Sequence, residues 1–408
     1  MHILFLSPSG QLGGAEICLL DMLAGLRAAC PDWKLSLVSA EQGPLSSSAS
    51  TLGVETTMLP FSASLAQLGD SSAARAGAGA LHTMALARKL TASSFTAAAY
   101  RQRLRSVIQR LAPDVIHSNG LKSDLLGAWA TRHRTPLIWH IHDYLTERPL
   151  IARLLRWSAA ACDLALANSD SVARDVRSCC GARLPIRTLY NSVDLDVFSP
   201  FGRQLDLDRL AGLPLAPEGT LRVGMLATMA WWKGHREFLQ ALARLPLDLP
   251  VRGYVIGGPL YQTAGSQLAL EQLRTFATEL RLGDRVGFTG FVHDVAPAIR
   301  SLDVVAHAST TPEPFGRVIM EAMACARPVV TTALGGAAEL VQQGRNALSC
   351  RPSDPADLAQ QILRLLRDPQ LRRQIGLNGR RTVEARFDRR RLAQSLVPIY
   401  QELKAGTC

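Results

Sequence analysis

The chain is predicted to be α/β, with two doubly wound parallel-sheet domains in succession. Short apolar runs alternate with segments of helical period along its whole length, which is the pattern of βαβ units. Several runs end in polar residues, as at His117 and His140, where strand ends of such a sheet carry ligand contacts. The length, 408 residues, suits two domains of roughly 100–200 residues each.

Residues 3–6 form the first strand, and Gly13-Gly14-Ala15-Glu16 opens a helix with Ile17, Leu19, Leu20, Met22 and Leu23 on its faces. Residues 34–38, 54–59, 114–117, 136–140 and 164–167 are the next strands. Asn168-Ser169-Asp170-Ser171 then supplies a helix N-cap. The second half repeats the scheme. Strands are predicted at 221–226, 252–256, 286–289, 304–306 and 328–331, and helices at 233–245 and 267–280. Pro200, Gly202, Gly212, Pro214 and Pro217 mark a join around 191–215. The expected division is therefore an N-terminal domain over 1–192 and a C-terminal domain over 193–386. A terminal helix follows over 387–408.

Composition narrows the function. Hydrophobic residues are 47% and charged residues 19%, so a packed core is available and global disorder is excluded. No apolar run reaches the ~18 residues needed to cross a bilayer. The N-terminus runs from an apolar strand straight into Ser7-Pro8-Ser9-Gly10, without a basic region or cleavage site, and a cytoplasmic protein is expected. The eight cysteines contain no C-x-x-C pair, so neither a zinc site nor a redox motif is indicated. The net charge of +11 suits an anionic partner. Part of it has a local source: residues 71–113 hold Arg75, Arg88, Lys89, Arg101, Arg103, Arg105 and Arg110 and no acid. Leu81, Met84, Leu86 and Leu90, and then Leu104, Val107, Ile108 and Leu111, predict two amphipathic helices there. Peripheral contact with an anionic membrane is one expectation for this stretch. Nucleic acid is not expected, because no aromatic residues interleave with the arginines.

One motif decides the class. Thr311-Pro312-Glu313-Pro314-Phe315-Gly316-Arg317-Val318 leads into a helix that carries Glu321, and Gly335-Gly336-Ala337-Ala338-Glu339 follows. The backbone N–H groups of Gly316, Arg317 and Val318 lie at a helix start, where the unpaired amides and the helix dipole favour a diphosphate. Carboxylates at Glu313 and Glu321 suit vicinal hydroxyls of a ribose or hexose.

This segment resembles the donor-binding signature of retaining glycosyltransferases of the GT-B fold, family four of the sugar-nucleotide-dependent enzymes. Asp114-Val115-Ile116-His117-Ser118-Asn119-Gly120, His140-Ile141-His142-Asp143 and Tyr190-Asn191-Ser192-Val193-Asp194 extend the resemblance over nearly the whole chain. It implies two Rossmann-like domains facing a cleft, with a terminal helix crossing back to the first domain. It assigns Glu313 to the donor sugar hydroxyls and Glu321 to the ribose. Lys233, in Trp231-Trp232-Lys233-Gly234, falls to the departing diphosphate. Gly13, Gly14, Gly257, Phe315, Gly316, Arg317 and Val318 would line the donor. His142 would reach the sugar C6 hydroxyl or the acceptor, with His140 and Asn119 on the acceptor side. Thr228 stands where the family carries a phosphate-binding Arg. A neutral hydroxyl does not replace a bidentate guanidinium, so Arg317 or another Arg supplies the charge or donor binding is weaker.

The implied reaction moves a hexose from a nucleoside-diphosphate sugar to a hydroxyl acceptor, with retention, no metal and no resident cofactor. No D-x-D pair stands at a strand end; Asp194-Leu195-Asp196 lies in the joining segment. Two rival readings share the fold. An epimerase needs no acceptor, and a phosphorylase needs free phosphate. A non-catalytic sugar-nucleotide-binding subunit is the third alternative.

Overall fold

Alternate residues of the first strand enter opposite cores. In the computed structural model, which describes residues 1–62, 80–131, 135–258 and 268–406 (backbone alone for 80–95), Leu4 and Leu6 join one buried cluster. Ile3 and Phe5 join another. Burial on both faces is what a parallel sheet under two helix layers requires. The chain forms two compact units. Met1–Ser192 and Arg389–Cys408 make the first, and Val193–Asp388 the second.

The first unit runs β1 (His2–Ser7), α1 (Gly14–Ala29), β2 (Lys34–Ser39), α2 (Pro44–Thr51), β3 (Glu55–Met58), α3 (Ala80–Leu111) and β4 (Val115–Asn119). It continues through α4 (Leu121–Thr131), β5 (Leu137–Ile141), α5 (Pro149–Ser158), β6 (Leu164–Ala167), α6 (Asp170–Cys180) and β7 (Ile186–Thr188). Among the described residues its sheet has the order β3-β2-β1-β4-β5-β6-β7, with every pairing parallel. The order reverses between β1 and β4. Ligands of doubly wound sheets bind at that reversal, beyond the carboxyl ends of the strands. The loop after β1 carries Gly13 and Gly14, and β4 ends at Asn119.

The second unit runs α7 (Leu207–Leu210), β8 (Leu221–Leu226), α8 (His235–Ala243), β9 (Val251–Ile256), α9 (Leu270–Glu279), β10 (Val286–Gly290) and α10 (Val295–Arg300). There follow β11 (Val304–His307), α11 (Arg317–Ala324), β12 (Val329–Thr331), β13 (Leu348–Ser349), α12 (Pro355–Arg367) and α13 (Pro369–Arg386). Its parallel sheet is ordered β10-β9-β8-β11-β12-β13 among the described residues, and it reverses between β8 and β11. The last helix, α14 (Arg389–Ala405), returns to the first unit. Its Leu392, Leu396, Ile399, Tyr400 and Leu403 join the cluster that holds Ile3 and Phe5.

Two local expectations change. The two short amphipathic helices predicted within 71–113 are one continuous 32-residue helix, α3. No Gly or Pro lies between residues 80 and 112 to end it. Leu104, Val107 and Ile108 pack into the core, while Arg103 and Arg110 are exposed and Arg101 and Arg105 half-buried. Arg75 and the side chains of Arg88 and Lys89 lie outside the described residues. The helix expected from residue 233 is also divided. A 3₁₀ turn, Trp231–Lys233, precedes α8, and Gly234 separates them at φ 81°. A Cβ at Gly234 would run into the Ala308 carbonyl oxygen, so only glycine lets this turn lie against the β11 loop.

Asp208, 1% exposed, fastens the joining segment to the sheet of the second unit. Its carboxylate accepts from Arg252 Nη1 at 2.5 Å, Tyr254 Oη at 2.6 Å, the Ala216 N–H at 3.1 Å and Arg222 Nη2 at 3.3 Å. Burial alone would raise its pKa, but Tyr254, Arg252 and the Ala216 amide overcome this and hold it at about 2. Its stabilisation is complete above the ordinary carboxyl value of 3.8 and is lost as pH falls through about 2. Asp208→Ala leaves two guanidinium groups without their anion. It should lower the stability of the second unit by about 3–5 kcal/mol in urea unfolding.

Candidate active site

Polar residues converge at the β8/β11 reversal of the second unit. The Lys233 ammonium donates to Glu313 Oε1 at 2.5 Å, and so does the Ser309 hydroxyl, also at 2.5 Å. His307 Nε2 lies 3.6 Å from the same oxygen. Glu313 is 8% exposed. Burial alone would raise its pKa, but Lys233 and His307 outweigh burial and hold the carboxyl far below the usual range. The site therefore carries a fixed carboxylate anion, paired with the Lys233 ammonium.

Backbone bonds hold these groups in register. The Thr310 N–H donates to Trp232 O at 2.8 Å, tying the β11 loop to the turn that carries Lys233. The Glu313 N–H donates to Leu334 O at 3.2 Å, and Glu313 O accepts from the Gly336 N–H at 2.7 Å. Gly316, at φ 91°, sits before α11, and no side chain caps that helix start. Arg317 Nε donates to Glu321 Oε1 at 2.7 Å, so the guanidinium considered for the donor phosphate is engaged with the carboxylate considered for the ribose. Val318 is half-buried on the first turn of α11. The Phe315 ring is 2% exposed and stacks edge-on to Phe387 at 5.9 Å, so it anchors the loop to the core.

Thr228 is half-buried in the loop after β8. This loop is bound to the one after β9, by Ala227 N–H to Ile256 O at 3.1 Å and Met229 N–H to Gly258 O at 3.2 Å. Gly257 lies against it, its N–H donating to Gly290 O at 3.0 Å. Ser309 and His307 were absent from the sequence-derived site. The signal for them was their period-two spacing at the end of β11, four and six residues before Glu313.

The first unit holds a separate polar cluster. The Asn119 Nδ2 donates to Ala15 O at 3.2 Å, and its Oδ1 lies 2.8 Å from His142 Nε2. The rings of His140 and His142 lie 4.1 Å apart, tilted by 37°. His140 Nδ1 lies 3.2 Å from His117 Nε2, and His117 Nδ1 lies 2.7 Å from Tyr400 Oη on α14. His140 is 2% exposed and Asn119 fully buried, whereas His142 keeps partial exposure. Burial drives all three imidazoles toward the neutral form, His117 to about 3 and His142 to about 4, with Asp143 opposing the shift at His142. A Cβ added at Gly14 meets no atom within 4 Å, so packing inside the unit does not demand glycine there.

Glu16, on the first turn of α1, accepts the Gly13 N–H at 3.1 Å. Burial pushes its carboxyl up to about 7, reinforced by Asp143 and Glu41 and opposed by the local amides. Among the described residues, no group of three His, Cys, Asp or Glu side chains is placed to hold a metal ion. The Glu16 value has a thermodynamic consequence. The folded state favours the protonated carboxyl, so stability should decline as pH rises from 4.5 through about 7. Glu16→Gln should abolish that decline in melting temperature measured across the same range.

The chain matches the family described as Glycosyl transferases group 1 over residues 214–382, and Glycosyltransferase Family 4 over residues 12–197. A D-inositol 3-phosphate glycosyltransferase of Geodermatophilus obscurus is 32% identical over 331 residues, covering 75% of this chain and 70% of that protein. An N-acetyl-alpha-D-glucosaminyl L-malate synthase of Bacillus anthracis is 24% identical over 315 residues, covering 75% of this chain and 79% of that protein. Among solved structures, Anabaena HepE in complex with UDP and glucose is 27% identical with a TM-score of 0.77, covering 98% of this chain and 99% of that one. A sucrose-phosphate synthase from Thermosynechococcus elongatus, 21% identical with a TM-score of 0.77 over the full length of both chains, shares the fold. With its two parallel-sheet α/β units, this chain belongs to the family-four glycosyltransferases of the GT-B fold.

Proposed function

We propose that the protein transfers a hexose from a nucleoside-diphosphate sugar to a hydroxyl acceptor, with retention at the anomeric carbon and without a metal. The observation that carries this reading is the Lys233–Glu313 pair beside the uncapped start of α11. Donors fixed in place before reaction stabilise developing charge without reorganising. Lys233 and the first amides of α11 take the departing diphosphate, and Glu313 accepts from sugar hydroxyls. Glu321, oriented by Arg317, serves the ribose.

In the reaction the bond from the anomeric carbon to the diphosphate oxygen breaks, and its electron pair leaves with the phosphate. The acceptor oxygen bonds to the same carbon on the same face, and its proton passes to the departing phosphate oxygen. His142 contacts a sugar or acceptor hydroxyl. Anabaena HepE, solved with UDP and with UDP-glucose, supports a uridine diphosphate donor. The working compartment in this reading is the cytoplasm.

Peripheral contact with an anionic membrane belongs to the same reading. No described helix is long and apolar enough to cross a membrane. On α5, however, Leu150 and Trp157 are 68% and 78% exposed, with Leu154 between them half-buried against the core. Arg153 and Arg156 flank them, and α5 contains no acid. Two exposed apolar side chains among arginines suit the interface of an anionic leaflet.

Glu313→Ala and Lys233→Ala should each cut UDP release from UDP-glucose by about 10²–10³-fold while circular dichroism stays unchanged. Wild-type turnover should survive exhaustive EDTA treatment; a complete loss restored by manganese would remove the metal-free reading. The protein should sediment with phosphatidylglycerol vesicles at low salt, and Trp157→Ala with Arg153→Ala should abolish this.

A further inference from the structure

Asn119 has two neighbours, and their chemistry fixes how its amide must point. The Ala15 carbonyl is an acceptor only, so the amide NH₂ must face it, as the 3.2 Å contact requires. The amide oxygen is then left facing His142 Nε2 at 2.8 Å. An oxygen can only accept, so Nε2 must carry the ring proton. A neutral imidazole has one N–H, which leaves Nδ1 as a bare lone pair.

We propose that Asn119 is a positioning residue which locks His142 in the Nε2–H tautomer, so that Nδ1 accepts a hydrogen bond from a substrate hydroxyl. The part of the proposal that concerns substrate rests on the glycosyltransfer reading above; the tautomer does not. Asn119 is fully buried with both amide atoms engaged inside the unit, so its contribution passes through His142.

The surroundings agree. The tilted His140 ring packs on the His142 ring at 4.1 Å, and Asn168 Nδ2 lies 3.4 Å from the His142 carbonyl, which together hold ring and backbone. Burial keeps His142 neutral despite the adjacent Asp143, so its tautomer persists at physiological pH. The consequence is selectivity by chemical class. A hydroxyl can donate to Nδ1. A phosphate or carboxylate oxygen has no proton to give and is repelled by the lone pair. The group recognised here is therefore an alcohol.

The test is long-range proton–nitrogen NMR of the full chain labelled at histidine ring nitrogens, near neutral pH. His142 is assigned by the signals lost in His142→Gln. The expected spectrum shows one tautomer, protonated at Nε2. Asn119→Ala should give a mixture of tautomers, and Asn119→Asp, which keeps an acceptor oxygen, should restore the single form. UDP release from UDP-glucose should fall about 10- to 100-fold in Asn119→Ala, in kcat more than in KM, the scale of losing a group's orientation. Asn119→Asp should recover part of this. A wild-type spectrum with Nδ1 protonated overturns the proposal whether or not the variants fold. So does an Asn119→Ala spectrum that keeps the single Nε2–H form. Absence of UDP release by the wild type overturns the donor assignment, and the spectrum still decides Asn119.

Discussion

A carboxylate as buried as Glu313 exists as an anion only if its surroundings replace the water it has lost. Lys233, Ser309 and His307 do so on a single oxygen, and each arrives from a backbone segment fixed for that purpose. The ammonium comes from a 3₁₀ turn held against the β11 loop by the Thr310–Trp232 bond. The hydroxyl and imidazole come from the end of β11 itself. Each local feature of this region follows from that one electrostatic requirement. Gly234 permits the turn's approach, and the Leu334 and Gly336 bonds clamp the backbone of Glu313.

The two units solve a common problem with different chemistry. Both place their polar residues where the strand order reverses, because neighbouring loops diverge there and leave backbone groups accessible. In the second unit the result is charged, with an ion pair and a helix start. In the first unit it is neutral. Three imidazoles are stripped of charge by burial, and one amide is committed to neighbours on both sides. A charged site matches a diphosphate, whose energy of binding is electrostatic. A neutral one matches alcohols, which are distinguished by hydrogen-bond direction rather than by charge.

Much of the fold was legible because its signals are local. Apolar runs gave the strands, and Gly and Pro gave the loops. The Glu313–Glu321 segment marked its own chemistry through residues near one another in the chain. What was hidden depends on distance through space. Tyr400 reaches His117 across 283 positions, and no periodicity announces such a contact. Asn119 reads as a ligand from sequence because polar residues at strand ends usually are. The Ala15 carbonyl and the His142 ring show that its amide nitrogen and oxygen each have a partner inside the unit. Phe315 sits in the signature yet serves the core. Lys233 was assigned to a helix, whereas the left-handed backbone of Gly234 ends one turn and starts another.

The chain passes from the first unit to the second after Ser192 and returns at Arg389. Translation proceeds in one direction, so the first unit cannot be completed when its own sheet has been synthesised. Until Arg389–Ala405 emerges, the face carrying Ile3 and Phe5 lacks the apolar residues of α14, and His117 lacks its phenol. The whole second unit is made in the interval. The last helix thus acts as a seal, and the first-made sheet must wait on the ribosome with that side covered only in part, by α1 and α2. A chaperone arriving during synthesis would find its binding surface there, and a nascent chain stalled before Arg389 would present the same apolar face to quality control.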